Sequence, residues 1–258
     1  MRLQNQIILI TGSTTGIGEF MARRYVAEGA KVILQGRNSE RGEALRAELG
    51  EANAAFCQGD LADSTYPEQL AKEALAAFGR IDALVNNAAI TVRGRIEAAF
   101  FDRMIAINTR APMLLIRALL PALKESKGCV LNIGSVLAHC GQANMLAYSM
   151  SKGALQTMTR NLADSQGTEG VRFNQLNVGW TLTENEYKVK MQDGLPPDWP
   201  DHVPAYAAPA GRVTKPEEVA AATVYWVGRE SYPISGTVAE LEQYPIIGRY
   251  PNMEGDDA

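Results

Sequence analysis

Short apolar runs recur along the chain at residues 7–10, 31–34, 54–57, 83–85, 129–133, 172–176 and, less sharply, 236–241. Helical patterns fill the intervals between them. Runs of that length read as strands, and strands that alternate with helices pair in parallel with helices on both faces. The pattern therefore predicts an α/β fold, a seven-stranded parallel sheet wound on both sides. Residues 184–210 break the rhythm with five prolines, several charges and the aromatics Tyr187, Trp199 and Tyr206, before helical periodicity returns at 216–227. A long irregular insertion in a compact fold is usually functional, and this one follows the sixth strand, at the sheet edge where open α/β sheets bind ligands. We read it as a substrate lid. No linker, low-complexity tract or repeat divides the chain before about residue 180. One domain over residues 1–258 is expected, with a tail from about 244 to 258.

The first strand runs into Thr11-Gly12-Ser13-Thr14-Thr15-Gly16-Ile17-Gly18. Strand, glycine-rich turn and helix is the layout in which backbone N–H groups and the helix dipole receive a pyrophosphate. Gly12 would permit the tight turn, Gly16 a close phosphate and Gly18 the packing of helix on strand. The plainer alternative is a tight connection with no ligand. At the end of the second strand, Leu34-Gln35-Gly36-Arg37-Asn38 holds no acid to take a ribose 2′-hydroxyl. Arg37 would pair instead with a 2′-phosphate, which favours NADP(H) over NAD(H), unless it merely opens a solvated helix. Asp60 and Leu61 fit contact with an adenine edge, and an ordinary helix cap explains the aspartate almost as well.

Tyr148 and Lys152 stand four residues apart, so on a helix their phenol and ammonium share a face. A positive charge there lowers the phenol pKa and suits Tyr148 to acid/base work near neutral pH. Ser135 precedes the pair by thirteen residues.

Composition narrows the classes. A formal charge of -4 with interspersed signs leaves no basic face for nucleic acid. No apolar run suggests a membrane span and the first ten residues lack an export pattern, so a cytoplasmic protein is expected. Cys57, Cys129 and Cys140 form no Cys-x-x-Cys pair, and the only histidines are His139 and His202. No disulfide frame and no metal are predicted.

Taken together and in order, these motifs make the chain resemble the short-chain dehydrogenase/reductase family over residues 4 to 238. The match rests on the glycine turn, Asn86-Asn87-Ala88 after the fourth strand, Asn108 in the next helix, Ser135 after the fifth strand, and Tyr148-x-x-x-Lys152. The resemblance implies a Rossmann domain in which Tyr148 is the acid/base and Ser135 binds the reacting oxygen. Lys152 would hold the nicotinamide ribose, and Asn108 would support a proton relay. It also places Ser13, Thr14, Thr15, Ile17, Asn38, Asn87, Ala88, Ala89, Gly179, Thr181 and Thr183 along the cofactor. Three departures stand out: Ala89 for a usual glycine, Asn177-Val178-Gly179 for a usual Pro-Gly, and a chain end, Ala239-Glu240-Leu241-Glu242-Gln243-Tyr244-Pro245, that lacks the usual Asp-Gly-Gly. Val178 would then be freer in φ.

The expected activity is NAD(P)(H)-linked interconversion of a secondary alcohol and a carbonyl. A small polar substrate such as a sugar, polyol or hydroxy or keto acid fits, with the lid aromatics stacking on it and Arg93 or Arg95 receiving a carboxylate. The alternatives are a nucleotide-binding scaffold without turnover, an epimerase, dehydratase or lyase using the same cofactor, and a 3-oxoacyl reductase-like enzyme. The resemblance further implies a homotetramer or homodimer. The surplus apolar run Met113-Leu114-Leu115-Ile116 with Leu119-Leu120 fits a second, intersubunit helix face, and the tail is expected near a neighbouring subunit's pocket.

Overall fold

The computed structural model of the chain describes residues 1–91, 97–139, 142 and 144–247. Among the described residues seven strands form: β1 (Ile7–Ile10), β2 (Lys31–Gly36), β3 (Ala54–Gln58), β4 (Ala83–Asn86), β5 (Cys129–Ser135), β6 (Arg172–Val178) and β7 (Val238–Leu241). They pair in parallel in the order β3-β2-β1-β4-β5-β6-β7. The chain winds outward from β1 to β3, crosses back to β4 and winds outward again to β7. The neighbouring carboxyl ends of β1 and β4 thus open a crevice at the point where the winding reverses.

Burial on both faces explains the unbroken apolar runs. In β1 the side chains of Ile8 and Ile10 face one layer and those of Ile7 and Leu9 the other. The first layer holds α1 (Gly16–Ala27), α2 (Ser39–Leu49) and α8 (Pro216–Val227), with Met21, Tyr25, Leu45, Val219 and Val224 in its core. The second holds α3 (Tyr66–Phe78), α5 (Ala111–Ser126) and α6 (Leu146–Gln166), with Leu70, Leu115, Leu119 and Ala163. Each fully buried leucine or isoleucine contributes about 1.5–3 kcal/mol.

Strands β5 and β6 extend two residues past their apolar runs, with Ser135 opposite Val178 in the ladder. Backbone pairing does not require apolar side chains, so Gly134, Ser135 and Asn177 continue the strands unannounced. Val178 pairs with Ser135 on one side and Leu241 on the other.

Residues 184–210 are more ordered than their prolines imply. They open with α7 (Glu184–Gln192), turn once through a 3₁₀ segment (Trp199–Asp201), and bury Trp199, Val203 and Ala208 in a small core that the flanking Trp180, Leu182 and Val213 complete. The base of this segment is zipped: Leu182 N–H donates to Thr214 O at 2.8 Å and Thr214 N–H to Trp180 O at 3.0 Å. Gln243, just past β7, accepts from Ala210 N–H at 2.9 Å and donates to Arg212 O at 2.7 Å. Residues 248–258 of the expected tail lie outside the described residues. So do Arg93, Arg95 and Cys140. Among the described residues, no helix is long and apolar enough to cross a membrane.

Candidate active site

The turn after β1 depends on its glycines. Gly12 has φ +62°, and a Cβ there would stand 2.8 Å from the Ala88 Cα. A Cβ on Gly18 would stand 2.3 Å from Gly12 O and 2.6 Å from Asn87 Nδ2. The closeness has a purpose, because the turn is tied to the end of β4. Thr11 Oγ1 accepts from Asn87 N–H at 3.0 Å and Ala88 N–H at 3.1 Å, while Asn87 Nδ2 donates to Thr11 O and Gly12 O. Gly16, at φ +57°, is open on the side where a Cβ would meet only Thr183, at 3.6 Å and beyond. Thr15 caps α1 without a side-chain bond, so the amides of the first helical turn, including Gly16, Ile17 and Gly18, point outward for an anion.

The remaining expected cofactor residues divide. Ser13 is fully buried and its hydroxyl accepts from Gln35 N–H at 2.9 Å, so this side chain braces β2. Thr14 packs on Gly36, where a Cβ would meet it at 2.6 Å. Asn38 caps α2 by accepting from Arg41 N–H at 2.9 Å. Arg37 is exposed, with its guanidinium 4.0 Å from the Asp60 carboxylate. Asp60 also accepts from Ala62 N–H at 2.9 Å, and Arg103 approaches it at 3.3 Å. Leu61 lies close to Thr11, Asn86, Ala88 and Ile107, and the Asn86 side-chain oxygen is buried without a partner.

Across the crevice, β5 delivers Ser135, whose Oγ accepts from Leu137 N–H at 3.2 Å and whose hydroxyl acts to lower the pKa of the Tyr148 phenol. Tyr148 and Lys152 come from α6 and are both buried. Lys152 Nζ donates to Ile133 O at 2.7 Å and lies 5.7 Å from the centre of the Tyr148 ring. Burial governs both groups. It pushes the Tyr148 phenol up to about 12, against the lowering by the Ser135 hydroxyl, with the Glu186 charge adding to the rise. It pulls Lys152 down to about 8. Contrary to the expected lowering of the tyrosine by its lysine neighbour, desolvation sets the direction of the shift.

Asn108 sits in a π turn (Ala106–Arg110) between α4 (Ala98–Ile105) and α5, a local irregularity often found at functional sites. Its amide is fully engaged: Nδ2 donates to Ser151 Oγ at 3.0 Å and Ile90 O at 3.1 Å, and Oδ1 accepts from Ile90 N–H at 2.9 Å. The side chain thus locks the segment after β4 against α6, one residue from Lys152.

A glycine-turn nucleotide cradle and a Ser-Tyr-Lys cluster on one sheet edge agree with the comparisons. Residues 6–194 match the model of the short chain dehydrogenase family. The chain is 31% identical over 237 residues to the L-fucose dehydrogenase of Mus musculus, covering 90% of this chain and 85% of the relative. It is 32% identical over 239 residues to the meso-2,3-butanediol dehydrogenase of Serratia marcescens, covering 92% of each. A solved 3-ketoacyl-(acyl-carrier-protein) reductase from Brucella melitensis, complexed with NADH, superposes with a TM-score of 0.81 at 28% identity, over 93% of this chain and 97% of that one.

The chain belongs to the short chain dehydrogenase family.

Within this family frame, the departures acquire physical accounts. Ala89 keeps a negative φ, so its methyl group carries no backbone strain. At Gly179 a Cβ would stand 2.0 Å from the Glu242 carboxylate, so any larger residue there displaces that side chain. That carboxylate accepts from Trp180 N–H at 3.2 Å. Glu242 and Gln243 therefore pin both ends of the 180–213 excursion from a single point after β7. Thr181 donates to Gly179 O at 3.2 Å, and Thr183 caps α7 by accepting from Glu186 N–H at 3.1 Å. The lid aromatics form a stack: Trp199 lies 5.5 Å from Trp180 and 6.4 Å from Tyr187. Trp199 is buried in the lid's own core and does not present its face to a ligand, while Tyr206 is exposed. Trp180 and Glu186 were not singled out by the sequence, and Thr11, Glu242 and Gln243 were read only as members of a motif and of the chain end, because their roles depend on contacts that span from several to more than sixty residues of chain.

Proposed function

We propose that this protein is an NAD(P)(H)-dependent oxidoreductase that interconverts a secondary alcohol and a carbonyl on a small polar substrate such as a sugar or polyol. The observation that carries the reading is the Ser135–Tyr148 hydroxyl pair, with Lys152 fixed between Ile133 O and the Tyr148 ring. Two hydroxyl donors aimed at one oxygen stabilise the alkoxide charge that develops in carbonyl reduction. The nicotinamide supplies the hydride chemistry when bound. Tyr148 gives the proton to that oxygen, or takes it in the reverse direction. Lys152 and Tyr148 face the nicotinamide ribose, and Asn108 holds the segment through which a proton relay reaches solvent.

The cradle suits a dinucleotide. A pyrophosphate is received by the free amides at Gly16, Ile17 and Gly18, backed by Gly12, Thr14 and Thr15. Asp60, Leu61, Asn87, Ala88 and Ala89 follow the adenosine half, and Gly179, Thr181 and Thr183 the carboxamide. NADP(H) is favoured because Arg37 stands exposed where a 2′-phosphate would lie, with Arg41 one helical turn beyond. The names of two relatives, L-fucose dehydrogenase and meso-2,3-butanediol dehydrogenase, favour a hydroxyl-rich substrate.

We further take the chain as a single domain with a lid at about 184–210, working in the cytoplasm as a homotetramer or homodimer. The exposed Met113, Leu146 and Met150 on α5 and α6 support the assembly, and light scattering tests it. Titration with NADPH and NADH, followed by nicotinamide fluorescence, tests the cofactor. Tighter NADPH supports Arg37 as the phosphate ligand; tighter NADH removes that argument and leaves the catalytic set; binding of neither removes the reading.

A further inference from the structure

Strands covered on both faces are expected to be apolar throughout, yet β4, β5 and β6 carry Asn86, Asn132, Gln175 and Asn177, all buried. These side chains form one row. Asn86 Nδ2 donates to Asn132 Oδ1 at 2.8 Å, Asn132 Nδ2 to Thr159 Oγ1 at 2.8 Å, Gln175 Nε2 to Asn177 Oδ1 at 2.7 Å and Asn177 Nδ2 to Gln156 Oε1 at 3.2 Å. Thr159 Oγ1 closes the row, 3.2 Å from Gln175 Oε1. Thr159 and Gln156 belong to α6, where Lys152 makes a third polar fastening, to Ile133 O, one turn nearer the helix start. Hydrogen bonds are directional where apolar packing is not, so the row sets how far α6 is advanced and turned on the sheet. Tyr148 stands one turn beyond the last fastening.

Asn177 is the member of the row nearest the chemistry. In the β5–β6 ladder it faces Gly134, and its side-chain oxygen fills the space where a Gly134 Cβ would be. Ser135 is the next residue. Beyond it, a 3₁₀ turn (Val136–Ala138) holds Ser135 Oγ through Leu137 N–H and ends at His139. His139 Nε2 lies 3.5 Å from Asn177 Nδ2 and 2.9 Å from Glu240 Oε1 on β7. One amide therefore meets the residue before Ser135, the end of the turn after it, and the helix that carries Tyr148 and Lys152.

We propose that Asn177 is a positioning residue for the reaction, which keeps Ser135 and Tyr148 in register by coupling the end of β5 to α6. The proposal rests on the dehydrogenase reading above and adds to it a residue that touches neither substrate nor cofactor.

The test assays wild type, Asn177→Ala, Gln156→Ala and the double variant with the cofactor that binds, on glycerol, propylene glycol and a panel of aldoses. Asn177→Ala should lower kcat roughly tenfold, because a small misplacement of reacting groups suffices for that, with KM and cofactor affinity within about twofold of wild type. Gln156 is half-buried, which keeps the test open if Asn177→Ala does not fold. Its alanine variant should also lower kcat, and the double variant should fall no further than Asn177→Ala alone. A merely structural contact would instead show as lower stability in urea with kcat intact. A second readout needs no turnover: amide hydrogen exchange at residues 136–139 should quicken about tenfold in Asn177→Ala while β1 and β2 exchange as in wild type. An intact kcat in every variant, or a fully additive loss in the double variant, overturns the proposal and leaves the dehydrogenase reading standing. Cofactor binding by wild type without turnover of any of these compounds overturns the dehydrogenase reading, and unaltered exchange at 136–139 then overturns the proposal as well.

Discussion

Replacing Lys152 by methionine should stabilise the protein near neutral pH while disabling it. Lys152 is 3% exposed, and burial lowers its pKa from 10.5 to about 8. At about 1.4 kcal/mol per pH unit, holding its charge inside costs the fold about 3 kcal/mol below pH 8. The sign follows from proton counts: between about 8 and 10.5 the unfolded chain binds the proton that the folded chain has released, so stability rises with pH through that window. Methionine has no charge to bury, but it strands Ile133 O, which accepts from Nζ at 2.7 Å, at a cost of about 1 kcal/mol. The variant should therefore be about 2 kcal/mol more stable at pH 7, and slightly less stable than wild type once both states of wild-type Lys152 are neutral. Cys57 and Cys129, which burial pushes up to about 12 and about 11, erode stability above pH 9 in both proteins and cancel in the difference. Urea unfolding at pH 7 and above pH 10.5 reads the two values. A variant that is less stable at pH 7, or a difference that does not change with pH, would refute the reasoning.

Tyr148→Phe should lower turnover by about 10²–10⁴-fold with cofactor affinity nearly unchanged, as measured by steady-state kinetics and nicotinamide fluorescence. Gly12→Ala should cost about 1–3 kcal/mol by urea unfolding and weaken cofactor binding, because the methyl group meets backbone at Ala88 and the φ is left-handed. Trp199→Ala removes a buried ring from the lid core and should cost the lid about 3–5 kcal/mol locally. Limited proteolysis should then cut within 184–210 while cofactor affinity holds; protection equal to wild type would count against an independent lid core. Carbonyl reduction should fall as pH rises through about 8, where Lys152 loses the charge that favours alkoxide and phenolate, and a flat profile across that range would exclude the ammonium from the reaction.

Most of the sheet was legible because parallel strands buried on both faces must be apolar throughout, as Ile7–Ile10 are. The nucleotide turn was legible for a different reason: backbone crowding leaves no alternative to glycine at Gly12 and Gly18. The π turn at Asn108 carries no glycine or proline to announce it. The lid's inner core was hidden because its stack joins Trp180, Tyr187 and Trp199 across nineteen positions with no common period. Glu242 reached its place beside Gly179 only through the pairing of β6 with β7. Short-range rules read what the backbone demands, and long-range polar contacts escape them.

The Tyr148–Lys152 pair shows how such rules mislead on energetics even when they locate the residues. Helical spacing puts the two on one face, and from there an ammonium beside a phenol points to a depressed pKa. That inference treats the pair as if water surrounded it. In the fold, the space beside Tyr148 is walled by Met104 and Met145, and the same burial that brings the groups together penalises both of their charges. Tyr148 rises while Lys152 falls. At pH 7 the phenol is protonated and the ammonium still largely charged, which is the state that donates a proton to a carbonyl oxygen. The stability this costs at Lys152 is spent where acid/base chemistry needs a proton donor and a positive charge kept out of water.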